Sequence, residues 1–213
     1  WNPAYPTDFD SNTLFTQWFV AAADGGTVDR TNAISPLAVV NGDILQGTGE
    51  FSNMNGLGIN TSSATGGGAG SFCPGCELTY VFNGITVTGP TSLAGGTVEI
   101  FVDNLPGGIN YINEDPGPAG STAAASGGTL WLRLAVDTIE FTTLGNGFLA
   151  GFVSILLDVV QGVGLAWEYF DTNGEAEGAD FAYAASCFFL GSGGLPTLTC
   201  DGTADLKGAS VVP

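Results

Sequence analysis

The 213-residue sequence contains no histidine and only three basic side chains, Arg30, Arg133 and Lys207. Without imidazole there is no ready proton shuttle near pH 7 and no Ser-His or Cys-His nucleophile pair. A single lysine leaves little scope for Schiff-base chemistry. Against these three bases stand 21 acidic residues, giving a formal charge of −18. Such a surface repels phosphate backbones and anionic lipids, so nucleic-acid binding is not expected and cations are the natural counter-partners. Self-repulsion among the carboxylates predicts that folding or assembly depends on salt or divalent ions. Charged residues are nevertheless only 11% of the chain and hydrophobic ones 44%, which is too apolar for charge-driven disorder, so the chain is expected to fold.

Long hydrophobic runs are also scarce. Only Gly147 to Ala166 approaches the length of a membrane span, and it contains Asp158, Gln161 and four glycines. A mid-span Asp is costly in hydrocarbon, so no membrane span is expected. The sequence opens on Trp1 with no signal peptide, which points to a leader already removed and a mature, exported protein. Four cysteines agree with an oxidising, extracellular compartment.

The residue that is abundant is glycine, with 34 copies set between short runs of β-branched and aromatic residues. This reads as all-β. In Thr97 to Asp103, Val98, Ile100 and Val102 share one face while Thr97, Glu99 and Asp103 share the other. The same alternation appears in Leu130, Leu132, Leu134 and Val136, in Leu78, Tyr80 and Phe82, and in Phe181, Tyr183, Ala185, Cys187 and Phe189. Strands with one apolar face need a partner sheet, and the expected fold is an antiparallel β-sandwich, jelly-roll-like, with Gly-rich loops. Phe148 to Val160 is apolar on both faces and is read as a central strand rather than a helix, given its β-branched content and flanking glycines. Asn12 to Ala23 suits a capped helix or a strand equally. The expected organisation is an extended arm over 1–10 and one domain over 11–213.

Cys73-Pro74-Gly75-Cys76 has redox-pair spacing. A reactive pair sits at a helix start, whereas Glu77 to Phe82 continues as a strand and adds a negative neighbour, so a local structural disulfide is expected. Cys187 and Cys200 flank Gly191-Ser192-Gly193-Gly194, where a hairpin lets the thiols meet. Of three possible connectivities, Cys73 to Cys76 with Cys187 to Cys200 is the one expected.

Oxygen ligands recur at every second position in Asp171, Asn173, Glu175 and Glu177, with Asp180 beyond. The spacing suits Ca²⁺, although Ala176 and Ala182 occupy the places where an EF-hand has its turn glycine and bidentate Glu. A solvated acidic turn is the competing reading. Asn60-Thr61-Ser62 matches a glycosylation sequon. No local motif singles out a catalytic carboxylate pair, so no enzyme is expected. The N-terminal arm carries Trp1, Tyr5 and Phe9 beside Pro3 and Pro6, an extended aromatic segment suited either to folding back over its own sandwich or to docking on a neighbouring subunit.

The phrases Asn41-Gly42-Asp43-Ile44-Leu45-Gln46-Gly47-Thr48-Gly49-Glu50 and Phe170-Asp171-Thr172-Asn173, with the terminal Val211-Val212-Pro213, resemble exported bacterial proteins of the PEP-CTERM class. The Pro-Glu-Pro sorting signal itself is absent. The resemblance implies a location at the cell surface or in an extracellular polysaccharide matrix, and carries over no functional residue. The expected function is a self-associating structural subunit of an extracellular fibre or biofilm matrix, joined through Trp1, Tyr5 and Phe9. The alternative is a monomeric surface module that binds calcium or polysaccharide.

Overall fold

A computed structural model describes residues 9–59, 76–104, 110–113, 115, 117, 120–143, 147–172, 180–190 and 194–208. The strands are β1 (Phe9–Val20), β2 (Ile44–Met54), β3 (Leu57–Gly58), β4 (Cys76–Gly89), β5 (Ser92–Ala94), β6 (Thr97–Asn104), β7 (Thr129–Thr143), β8 (Ala150–Val159), β9 (Phe181–Phe188) and β10 (Thr199–Gly208). Two one-turn helices, α1 (Thr122–Ala125) and α2 (Trp167–Phe170), lie in the connections.

All pairings are antiparallel, as expected, but the sheet is not two stacked layers. It runs β2-β1-β10-β9-β8-β7-β6-β4 and closes through a β2–β4 ladder, giving an eight-stranded barrel, with the short strands β3 and β5 appended to β2 and β4. The β-sandwich expectation is corrected accordingly. Alternation of apolar and polar residues is common to both architectures; what makes the barrel is the β2–β4 ladder, which joins the two ends of the eight-strand order and leaves no second layer.

Closure places one face of every strand in the lumen. Val98, Ile100 and Val102 turn inward as expected, as do Leu132, Leu134, Tyr80, Phe82, Phe181 and Cys187, and they join one core. Asn12 to Ala23 proves to be mostly strand, within β1. Phe148 to Val160 contains strand β8, but its outward Phe152 and Leu156 are exposed, so it is not covered on both sides.

Glycines were expected between strands; several lie within them and face inward. Gly47 and Gly49 pair with Phe82 and Tyr80, and a Cβ on either glycine would run into those rings. The absent side chains let the β4 aromatics lie across β2 inside the barrel. Outward positions carry exposed Asp10, Asn12, Glu140, Asp201 and Asp205 together with exposed Leu14, Phe152, Leu156 and Phe188. No helix among the described residues is long and apolar enough to cross a membrane.

Candidate functional site

The lumen is the first place where polar groups converge. Tyr80 Oη lies 3.0 Å from Thr13 Oγ1 and also hydrogen-bonds the Tyr183 hydroxyl. Burial pushes both phenols well above their ordinary values, so both stay neutral donors. They flank an apolar cavity of about 50 Å³ that also touches Gln17, Ile139, Phe141 and Val153. That volume accommodates a few waters at most and falls well below the roughly 150 Å³ of a cavity known to bind benzene. The lumen as it stands is a packed core with a polar seam.

Among the described residues the barrel wall is not continuous. Strand β7 pairs with β6 only through Thr129–Ala135, with one further bond from Val136 N–H to Gly96 O at 3.0 Å. Its C-terminal half continues to pair with β8 up to Thr143. From Asp137 to Thr142 the β6-side edge has no ladder among the described residues. A bulge at Asp137 bends the strand there. Strand β5 lies beside this edge without pairing to it, and Leu93 at its centre lines the lumen cavity together with Val98, Ile139 and Phe141.

On the outer wall, the described residues of 110–128 form a strap over β2 and β4. Tyr111 is fully buried, its hydroxyl 2.9 Å from Thr48 Oγ1 and 3.1 Å from Asn113 Oδ1. Thr79 Oγ1 donates to Ala125 O at 2.5 Å, and Val81 packs with Tyr111 and Ala125. Beneath the strap sits Glu77, 2% exposed, whose carboxylate accepts the backbone N–H groups of Asn110 and Tyr111 at 3.4 and 3.1 Å. Burial pushes Glu77 up to about 7, the two N–H bonds oppose the shift, and the nearby charges of Glu50 and Asp103 add to it. Glu50 is raised as well, chiefly by burial. Sequence reasoning treated Glu77 only as a negative neighbour of Cys76; its place under the strap needs the long-range pairing of 110–111 with β4.

The predicted site residues fall out as follows. Cys187 and Cys200 form the expected disulfide across the β9–β10 hairpin, with Cα atoms 6.0 Å apart. Cys76 opens β4 and is disulfide-bonded, while Cys73 lies outside the described residues. Of the calcium candidates, Asn173, Glu175 and Glu177 lie outside the described residues. Asp171 follows α2, and Asp180 is 3% exposed. Asp180 Oδ2 accepts Val159 N–H at 2.6 Å, and its Oδ1 accepts Thr172 N–H at 2.6 Å and the Thr172 hydroxyl. Both oxygens thus tie Thr172 and the end of β8 to Asp180. No group of three or more acidic or cysteine side chains converges as metal ligands among the described residues. Of the arm residues, Phe9 begins β1, paired with Gly208, while Trp1 and Tyr5 lie outside the described residues, as does the sequon at Asn60.

No protein-family model matches the chain, and neither a curated protein nor a solved structure matches it.

Proposed function

We propose that the chain is a self-associating structural subunit of an extracellular bacterial fibre or matrix, linked to its neighbours through the N-terminal segment bearing Trp1, Tyr5 and Phe9. The observation that carries this reading is how β1 is held. The arm runs directly into β1, which pairs with β10 over Phe9–Trp18 and with β2 over Ser11–Val20. A pull on the arm therefore loads two long ladders in shear, where many backbone hydrogen bonds resist together. The hairpin of β10, the strand beside β1, is further tied by Cys187–Cys200. A paucity of Lys and Arg also leaves few sites for trypsin-like proteases, which suits durable material. The resemblance to the PEP-CTERM class supports a surface or matrix location.

Electron microscopy of the purified full chain tests the reading: filaments that vanish on deletion of residues 1–8 are expected, and unchanged filaments would remove the arm from the mechanism. A second reading, a monomeric glycan-binding module, is favoured by a shallow concavity of about 380 Å³ on the outer wall. There Phe152, 49% exposed, stands among Glu140, Thr142, Ser154, Ser186 and Asp205. An aromatic face beside carboxylates and hydroxyls offers both stacking and hydrogen bonds to a neutral sugar ring. Dispersed monomers that bind neutral glycan support this alternative. Calcium is the less supported ligand, because Asp180 is committed to backbone donors.

A further inference from the structure

We infer that the β7 edge Asp137–Thr142, which has no β6-side ladder among the described residues, is the acceptor for the N-terminal arm of a second copy of this chain, which adds there as a strand and seals the barrel wall. The inference rests on the self-association reading above and identifies the surface that reading leaves unnamed.

Three features converge. The first is the edge itself, with six residues whose β6-side ladder is missing among the described residues, spanning roughly 20 Å. An exposed edge of that kind is a template for strand addition. Below it the lumen is apolar, with Ile139 and Phe141 half-buried, so an added strand finds both backbone partners and a slot for alternate side chains. Strand β5 now sits beside the edge, offering the slot only Leu93 and no ladder bond. It acts as a placeholder that the arm displaces.

The second is the pattern of the arm. In residues 1–8, Trp1, Pro3 and Tyr5 share one parity of an extended chain with Thr7, while Asn2, Ala4, Pro6 and Asp8 occupy the other; Phe9, of the first parity, is already paired with Gly208 in β1. That is the period-2 pattern of a strand with one apolar face. Eight residues before β1 reach roughly 26 Å when extended, enough to cover the edge. Pro3 and Pro6 differ in parity, so one of them forfeits a rung of the ladder whichever way the strand faces.

The third is placement. Strand β7 lies four ladders from β1 in either direction around the barrel, hence on the opposite wall and parallel to β1. The arm leaves from the N-terminal end of β1, whereas the edge is the C-terminal half of β7 and so lies towards the other end of the barrel. An arm reaching its own edge must cross the barrel along its length and its width. Between copies, the same two features meet head to tail, a heterologous contact that propagates instead of closing. A coaxial stack with about a half-turn between copies brings the arm over the edge and lays it parallel to β7. The contact is built from backbone and apolar groups, which is how copies carrying −18 each pack without pairing their carboxylates.

Two full-chain variants test this. Tyr5→Asp disables the arm and Phe141→Asp disables the slot. Each alone is expected to raise the concentration needed for assembly about thirtyfold or more, the loss typical of an interface anchor. Mixed in equal amounts, the intact arm of one meets the intact slot of the other, and discrete dimers that do not elongate are expected by analytical ultracentrifugation. In wild-type polymer, hydrogen exchange at 137–142 is expected to slow at least about tenfold relative to dissociated chains. Unchanged exchange there overturns the inference even where Phe141→Asp fails to fold. Wild-type-like polymers of Phe141→Asp, or a mixture that stays monomeric, overturn the acceptor assignment while leaving self-association standing. A wild-type chain that stays dispersed overturns both.

Discussion

Glu77 gives the molecule a pH dependence that can be worked out in advance. Its carboxyl is buried under the 110–128 strap and titrates at about 7, against 4.5 for an ordinary glutamate. Between those values the folded state holds a proton that the unfolded state has released, so stability falls as pH rises through the window. The contribution is fully present below about 4.5 and lost above about 7. At about 1.4 kcal/mol per pH unit, a shift of this size corresponds to roughly 3 kcal/mol. Glu77→Gln keeps an oxygen for the Asn110 and Tyr111 N–H groups and removes the titration. Urea unfolding of both proteins at pH 4 and pH 8 isolates the effect, because repulsion among the remaining carboxylates is nearly common to the two. The variant is expected to gain about 3 kcal/mol on wild type between the two pH values. A stability difference that does not change with pH refutes the burial argument for Glu77.

Other perturbations read other parts of the barrel. Cys187→Ala with Cys200→Ala removes a cross-link closing a 13-residue separation and is expected to cost about 3 kcal/mol in denaturant unfolding. Gly49→Ala drives a methyl group against the Tyr80 ring and the Leu14 carbonyl, with an expected loss of about 1–3 kcal/mol and a lower midpoint in thermal melts. Asp180→Ala strips the Val159 and Thr172 N–H groups of their acceptor and should speed their hydrogen exchange, while the chain's response to calcium stays as it was. An equal loss of calcium binding in that variant would restore Asp180 as a ligand.

The strands were legible because each has one apolar face, and that pattern is local: Val98, Ile100 and Val102 announce β6 without help from the rest of the chain. The Cys187–Cys200 bridge was legible for the same reason, since a short Gly-rich turn separates its two strands. Closure was not. Whether such strands stack as two layers or curl into one barrel depends on the β2–β4 ladder and on β1 joining β10, whose partners stand nearly 200 residues apart in the chain. The inward glycines were misread as punctuation because their reason, the rings of Phe82 and Tyr80, lies on another strand. The bonds from Asp180 to Val159 and Thr172 were not legible, because spacing shows which oxygens are near one another and not which donors they accept. The β7 edge has no signature of its own; it arises because β6 ends its pairing at Ala135 while β7 continues to Thr143.

The central claim is that the chain builds polymers through its N-terminal arm. Negative-stain electron microscopy of the purified full chain, beside the same chain lacking residues 1–8, tests it most directly. Filaments from the first and single barrels from the second are predicted. Single barrels from both, or filaments from both, contradict it.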